Sequence, residues 1–418
     1  MDKVYVFGAG CNSHGVVTYI GKKNIIAIID NEPKRQTSFV LGVQVISYQD
    51  FLMGYKNERI IISTLICNDI IDQLEESGIY NYEMAPFIIS GMPDSKQIED
   101  SLDMSLDYVI LGYNIVAEKF IQYCSENDRK NIKGIIPYND YERTKINING
   151  EYEIKEDDIA GCAILDFSEN NKTVFGAQYI NVYENWYAYN KKDNQNLARF
   201  KNLYRGETCF LIGNGPSLSY ADLETLKNNS AICFGFNLIF KIFEQTSWRP
   251  NYYVVTDYSV YKSYFEELSE IKGYKEIFIK KFYHCDEIIN KANYYQGNLT
   301  RCYGNEQKFS DDISKVIYAG YTVLFDAMQI AVYMGFEKIY LLGTDFTQKG
   351  NVGEKGNHIY DDIFTEKRKI VGNSFYDIAL NALEIAKEYA DAHGIKIYNA
   401  TRGGKLEVFE RVDFDSLF

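Results

Sequence analysis

Short apolar runs alternate with segments of helical period along the whole chain. VYVFGAG, NIIAIIDNE and RIIISTL are apolar nearly throughout, GVQVISYQDF lies between the last two, and DIIDQLEESG follows with helical spacing. Continuous apolar runs separated by helical segments predict parallel strands with helical crossovers. The order recurs from about Asp107 as DYVILGYN, AEKFIQYCSEN, IKGIIPYND, INGEYEI and AGCAILDF. Residues 1–100 are therefore expected to form a Rossmann-like lobe and residues 101–168 a second, degenerate one. The polar stretch from ENNKTVFGAQ to YNKKDNQN marks residues 169–199 as a linker region. The alternation then resumes with ETCFLIGNG, AICFGFN, NYYVVTDYS, EIFIKKF, the apolar helix VLFDAMQIAVYMG, KIYLLGTDF, the long helix FYDIALNALEIAKEYADAHG and IKIYNAT. Residues 200–418 form the last predicted domain, and the predicted fold class is α/β, multi-domain, with Rossmann-like doubly wound parallel sheets.

Composition narrows the functions this pattern can serve. At 418 residues the chain exceeds what one core supports, so several domains are expected. No segment reaches the run of about 20 apolar residues that a membrane span needs, and nothing at the N-terminus reads as an export signal. The expected setting is cytoplasmic. A formal charge of −14 argues against nucleic-acid partners, which need Lys and Arg against phosphate. It does not argue against a small nucleotide held by backbone amides. The 8 cysteines are scattered without metal-ligand spacing, so they read as reduced core residues and no metal site is expected.

Two glycine turns carry the candidate chemistry. Gly8, Gly10 and Gly15 follow the first strand and Asp30 ends the second, the places of a phosphate turn and a ribose-binding acid. The spacing departs from G-x-G-x-x-G, and a tight structural turn is the alternative. The second turn is Gly213-Asn214-Gly215-Pro216-Ser217, between a strand and a helix, where missing side chains would admit a phosphate and Ser217 could cap the helix. It too has a purely structural reading. Asn237 and Asp257 end the next two strands, where an amide can read a base or ribose and a carboxylate can bind sugar hydroxyls or a metal.

FLIGNGPSL, the FGFN strand and MGFEKIYLLGTDF resemble motifs of bacterial CMP-sialic-acid-dependent sialyltransferases. They are closer still to the related motility-accessory-factor and 6-hydroxymethylpterin-diphosphokinase-like family, whose C-terminal signature resembles GIKIYNATRGGKLEVFERVDFDSLF. The resemblance covers roughly residues 200–418. It implies a sialyltransferase-like domain, a GT-A variant, that binds a CMP-sugar as substrate and requires no cofactor. By position, Gly213, Asn214, Gly215, Pro216 and Ser217 would hold the CMP phosphate and ribose, and Asn237 would contact the nucleotide. Thr322 resembles a hydroxyl position near the base, and Gly343, Thr344 and Asp345 match the turn beside the donor. Thr347 stands where those enzymes have a phosphate-contacting tyrosine, and Asn373 where they have a catalytic histidine.

The base must then be sought among the chain's 4 histidines, His14, His284, His358 and His393. His393 precedes a helix-ending glycine, and His284 is a reserve candidate. His358, in GNHIYDD a little beyond the TDF turn, is the expected base, because an imidazole is the side chain type suited to accepting a hydroxyl proton. The alternative is a loop histidine satisfied by Asp361 or Asp362. Arg402 is the expected phosphate cation, with Lys405 near and a salt bridge to an acid such as Asp413 as the competing reading. Tyr360 is placed to stand in for the missing tyrosine. The expected catalytic group is His358, Asp345 and Arg402. The expected function is inverting, metal-independent transfer of a nonulosonic sugar from its CMP-activated form to a glycan or glycoprotein acceptor, with self-association left open. The competing readings are a pyrophosphotransferase using ATP and Mg2+, with Asp257 or Asp345 on the metal, and a non-catalytic nucleotide-sugar-binding protein.

Overall fold

The computed structural model describes residues 3–64, 68–85, 93–137, 140–149, 151–155, 159, 161–168, 178–189, 195–281, 288–295, 297–298, 307–346, 358–360 and 373–418. The chain divides into two compact units, Met1–Asn190 and Lys191–Phe418.

In the first unit the chain runs β1 (Val4–Phe7), α1 (Cys11–Ile20), β2 (Ile25–Ile29), β3 (Phe39–Val40), β4 (Val43–Ile46), α2 (Tyr48–Gly54), β5 (Arg59–Ile62), α3 (Asn68–Glu76), β6 (Tyr82–Met84) and α4 (Ser95–Asp100). It continues through β7 (Tyr108–Leu111), α5 (Ile115–Glu126), β8 (Ile132–Ile136), α6 (Asp140–Asn149), β9 (Ala163–Asp166), β10 (Tyr179–Asn181) and α7 (Val182–Tyr189). One sheet has the order β3-β4-β2-β1-β5-β6 and the other β10-β9-β7-β8. The central triplets β2-β1-β5 and β8-β7-β9 correspond, so the repeat seen in the sequence is a repeat of strand order. Each triplet has a positive-φ glycine after its first strand, Gly8 (φ +104°) and Gly112 (φ +84°), packed against Ser63 and Ser168 respectively. The two sheets share one core, in which Val6 and Ile28 join Tyr108, Ile110 and Leu165. Within residues 169–199, read as a linker, the described portion contains β10 and α7, and Tyr183 and Trp186 of α7 are buried in that same core.

The first glycine turn is engaged by the protein itself. Ala9 N donates to Asp30 Oδ2 at 2.6 Å, and Arg35 lies 3.3 Å from the same oxygen. In the second triplet Asn114 caps α5, accepting from Val116 N and Ala117 N, where a phosphate would otherwise sit.

The second unit contains β11 (Thr208–Ile212), α8 (Tyr220–Asn228), β12 (Ile232–Phe236), β13 (Tyr252–Val255), α9 (Tyr258–Ser263), α10 (Phe265–Glu270), β14 (Glu276–Lys280), β15 (Asn293–Tyr295), β16 (Gly297–Asn298), β17 (Ile317–Tyr318), α11 (Val323–Tyr333), β18 (Lys338–Leu342), α12 (Asn373–Ala392), β19 (Lys396–Asn399) and β20 (Glu410–Arg411). Eight strands form one parallel sheet of order β15-β14-β13-β12-β11-β18-β19-β20. Its interior strands are buried on both faces, which is why they read as unbroken apolar runs. One face packs on α11 and α12 around Phe234, Phe278 and Leu341, and the other on α8 and α9 around Ile212, Tyr253 and Ile279. The fold is α/β and multi-domain, and among the described residues no sheet closes into a barrel. Among the described residues no helix is long and apolar enough to cross a membrane.

Candidate functional site

Strand order places the candidate site. From β11 the chain moves outward through β12 to β15, then returns to lay β18 on the other side of β11. Loops after β11 and β18 therefore diverge from neighbouring strands at a topological switch point, where open α/β sheets leave a crevice for ligands. The turn Gly213–Ser217 follows β11, and Gly343–Asp345 follows β18.

The two turns are in direct contact. Gly215 N donates to Gly343 O at 2.8 Å, and Ser217 Oγ donates to Asp345 Oδ2 at 2.7 Å. A Cβ on Gly213 would stand 2.3 Å from Gly343 O, and one on Gly215 would stand 1.8 Å from Asp345 Oδ2. The space the glycines leave is thus filled by the facing turn, and the close approach they permit is that of protein to protein. From Gly213 to Leu218, every backbone N–H except that of Asn214 has an acceptor among the described residues. The expected phosphate cradle is thereby reduced to a single backbone donor without an acceptor among the described residues, that of Asn214. Ser217 is tied to Asp345, and the helix cap expected of it belongs to Ser219, whose hydroxyl accepts from Asp222 N at 3.1 Å. Pro216 is exposed.

Asn214 is the member of the turn with capacity to spare. Its Nδ2 donates to Phe236 O at 3.2 Å, while its buried Oδ1 has no hydrogen-bond partner among the described residues. An unmatched buried acceptor is costly by about 1–3 kcal/mol, and a ligand donor such as a ribose hydroxyl or a base amino group would relieve it. His358 and Tyr360 come to the same place. Ile359 N donates to the Asn214 carbonyl at 2.9 Å, and the rings of His358 and Tyr360 stack at 5.2 Å and 1°. Sequence distance gave no sign of this contact.

The remaining expected residues are reached in varied ways. Asn237 has φ +46°, its Oδ1 accepts from Thr256 N at 3.1 Å and its carbonyl accepts from the Tyr253 hydroxyl, so it braces the ends of β12 and β13. Burial keeps the Tyr253 hydroxyl far above its usual pKa and therefore protonated. Asp257 caps α9, accepting from Ser259 N and Val260 N at 2.8 and 3.3 Å, and Thr322 caps α11. Thr344 is buried, with its N–H on Thr401 Oγ1 at 3.1 Å. Asp345 is 7% exposed, and a Cβ on Gly404 would stand 2.4 Å from its carbonyl oxygen.

Arg402 departs from its expected role. Its guanidinium binds Asp222 at 2.9–3.1 Å and Asp415 at 2.5–3.0 Å. Hydrogen bonds to Asp415 and then Asp222 raise its pKa further, and Arg402 holds the Asp415 carboxyl below its usual range. It clamps the C-terminal segment to α8 in place of a ligand phosphate. The competing salt-bridge reading was right in kind, with Asp415 and Asp222 in place of Asp413. His284, Thr347, Asp361 and Asp362 lie outside the described residues, as does the Asn373 side chain.

Sequence reading passed over Lys241, Tyr264 and Thr401. Thr401 follows β19, so the strand-end argument applied elsewhere would have found it. Concavity is no guide here: a groove of about 730 Å³ lined by Arg199, Lys275 and Asn293 lies at the amino ends of β14 and β15, the opposite edge of the sheet.

Residues 181–351 match the family model described as 6-hydroxymethylpterin diphosphokinase MptE-like. The match includes the turns after β11 and β18 and stops short of His358 and Arg402. Residues 1–85 match a second family model, C2185-like, N-terminal. A search of the curated proteins found no match. Among solved structures, the MAf glycosyltransferase from Magnetospirillum magneticum AMB-1 is similar at 12% identity and TM-score 0.34, over 75% of this chain and 58% of that one. This chain thus spans little more than half the length of that protein.

Proposed function

We propose that the second unit is a nucleotide-dependent transferase that moves a nonulosonic, sialic-acid-like sugar from a CMP-activated donor to a hydroxyl of a surface glycan or glycoprotein. The observation that carries the proposal is the unmatched Asn214 Oδ1 at the β11/β18 switch point, bonded through its own backbone to the segment holding His358 and Tyr360. The motif set FLIGNGPSL, FGFN and MGFEKIYLLGTDF supports the choice of donor. In this reading Asn214 accepts from the nucleoside and His358 takes the acceptor proton as the hydroxyl oxygen attacks the anomeric carbon. The bond from that carbon to the phosphate oxygen breaks, and CMP leaves with the electron pair and inversion. The chemistry calls for no resident cofactor.

Similarity to the 6-hydroxymethylpterin diphosphokinase MptE-like family favours a second reading, pyrophosphoryl transfer from ATP with Mg2+. The carboxylates it would place on the metal fit poorly as they stand: Asp345 accepts from Ser217 and Asp257 accepts from two backbone amides. Titration with CMP, CDP and ATP, each with and without Mg2+, separates the two. Metal-independent CMP binding, abolished in Asn214→Leu without loss of fold, is the expected result. Mg2+-dependent ATP binding with none for CMP would replace the proposal with the second reading.

A further inference from the structure

We infer that Lys241 is the cation that binds the ligand's phosphate. The inference rests on the nucleotide reading above and adds a residue to it. Two findings leave the phosphate without an expected cation and with few expected amides: the amides of the Gly213–Leu218 turn are engaged except that of Asn214, and the Arg402 guanidinium is held by Asp222 and Asp415. What the turn offers is the acceptor Asn214 Oδ1, which suits a nucleoside donor and repels an anion.

Lys241 lies on the 3₁₀ turn Asn237–Ile242 directly after β12, the strand beside β11. Its ammonium donates to Tyr264 Oη at 3.1 Å and lies 4.7 Å from the centre of the Tyr264 ring and 5.6 Å from that of Tyr360. Tyr360 stacks on His358, and between them Ile359 is bonded to Asn214. A continuous set of contacts thus joins the ammonium, the imidazole and the unmatched amide. Among the described residues no carboxylate lies within ion-pair distance of Lys241. An ammonium has three donors; here one goes to a phenol and the charge is faced by two aromatic rings. Half-buried in that setting, it is suited to an incoming anion, and aromatic faces hold it in place without neutralising it.

The test is calorimetric titration of the full-length protein, Lys241→Met and Lys241→Arg with CMP, cytidine and inorganic pyrophosphate. Lys241→Met should leave cytidine affinity unchanged and weaken CMP by about 10- to 100-fold, the worth of a charge-assisted contact, while Lys241→Arg retains most of it. Equal CMP affinity in wild type and Lys241→Met would overturn the inference. So would an equal loss of cytidine and CMP, which would assign the lysine a structural role. If the wild type binds neither CMP nor cytidine, the nucleotide reading has failed and pyrophosphate decides for Lys241 alone. Binding that is lost in Lys241→Met and kept in Lys241→Arg supports it; unchanged binding, or none by the wild type, overturns it.

Discussion

His358 is the residue on which the proposed chemistry most depends, and its position is a matter of contacts rather than of sequence motif. The stack on Tyr360 fixes the imidazole plane, and the Ile359 to Asn214 bond fixes the backbone beneath it. A base must lie within hydrogen-bond reach of the hydroxyl it serves and titrate near the working pH, where an imidazole does. His358→Ala should lower turnover by roughly 10²- to 10⁴-fold with donor affinity little changed, measured by release of CMP under saturating donor. Near-wild-type turnover would remove His358 from the mechanism. At this scale the sequence shows which residues follow strands but not which partners they meet. Asn214, His358 and Tyr360 were legible from their places after strands. The engagement of Gly215 with Asp345, of Ser217 with the same carboxylate and of Arg402 with Asp222 was not, because each partner is more than 100 residues away.

Between elements, a partly buried ionic cluster ties the first unit together. Arg59 on β5 binds Glu83 on β6 at 2.5 Å and Glu118 on α5 at 2.7 Å, and Lys145 on α6 binds Glu118 at 2.9 Å. Burial alone would raise the Glu118 carboxyl, but the charges of Arg59 and Lys145 outweigh it and hold the pKa below its usual value. A depressed carboxyl pKa stabilises the folded state above the unfolded value of about 4.3, and that contribution fades as pH falls through the folded value. Glu118→Gln should therefore cost about 3 kcal/mol at neutral pH, the low end for a broken buried pair because the side chain is 22% exposed. The deficit should shrink in acid. Urea unfolding at about pH 7 and about pH 3.5 checks both parts; a deficit independent of pH would show that the ion pairs are not its source. The amphipathic spacing of α5 made the helix readable, but Glu118 gave no hint of a partner on β5.

For the whole molecule, the division at Asn190 and Lys191 predicts that the second unit is self-sufficient. A chain beginning at Lys191 should unfold cooperatively in urea and bind CMP within about twofold of the full-length protein, since an unperturbed site keeps its free energy within a few tenths of a kcal/mol. A folded truncation that fails to bind would assign the first unit a part in the site. Starting at Phe200 is less suitable, because Leu197 and Phe200 are both buried in the second unit's core. On its own, the sequence determined most of the elements, though not β10 and α7, the mainly parallel character of the sheets, in which only β3 and β4 pair antiparallel among the described strands, the repeat in the first unit and the strand ends from which a site can be built. These follow from local causes, namely apolar runs of strand length, helical periodicity and glycines after strands. The tertiary structure alone decided that β18 returns to the side of β11, that the glycines of one turn make room for the other turn, that Arg402 is a clamp and that Lys241 faces Tyr360. Neighbours across a parallel sheet are set by crossovers whose lengths leave several orders open, and a side chain's partner is whatever the chosen order brings within hydrogen-bond reach.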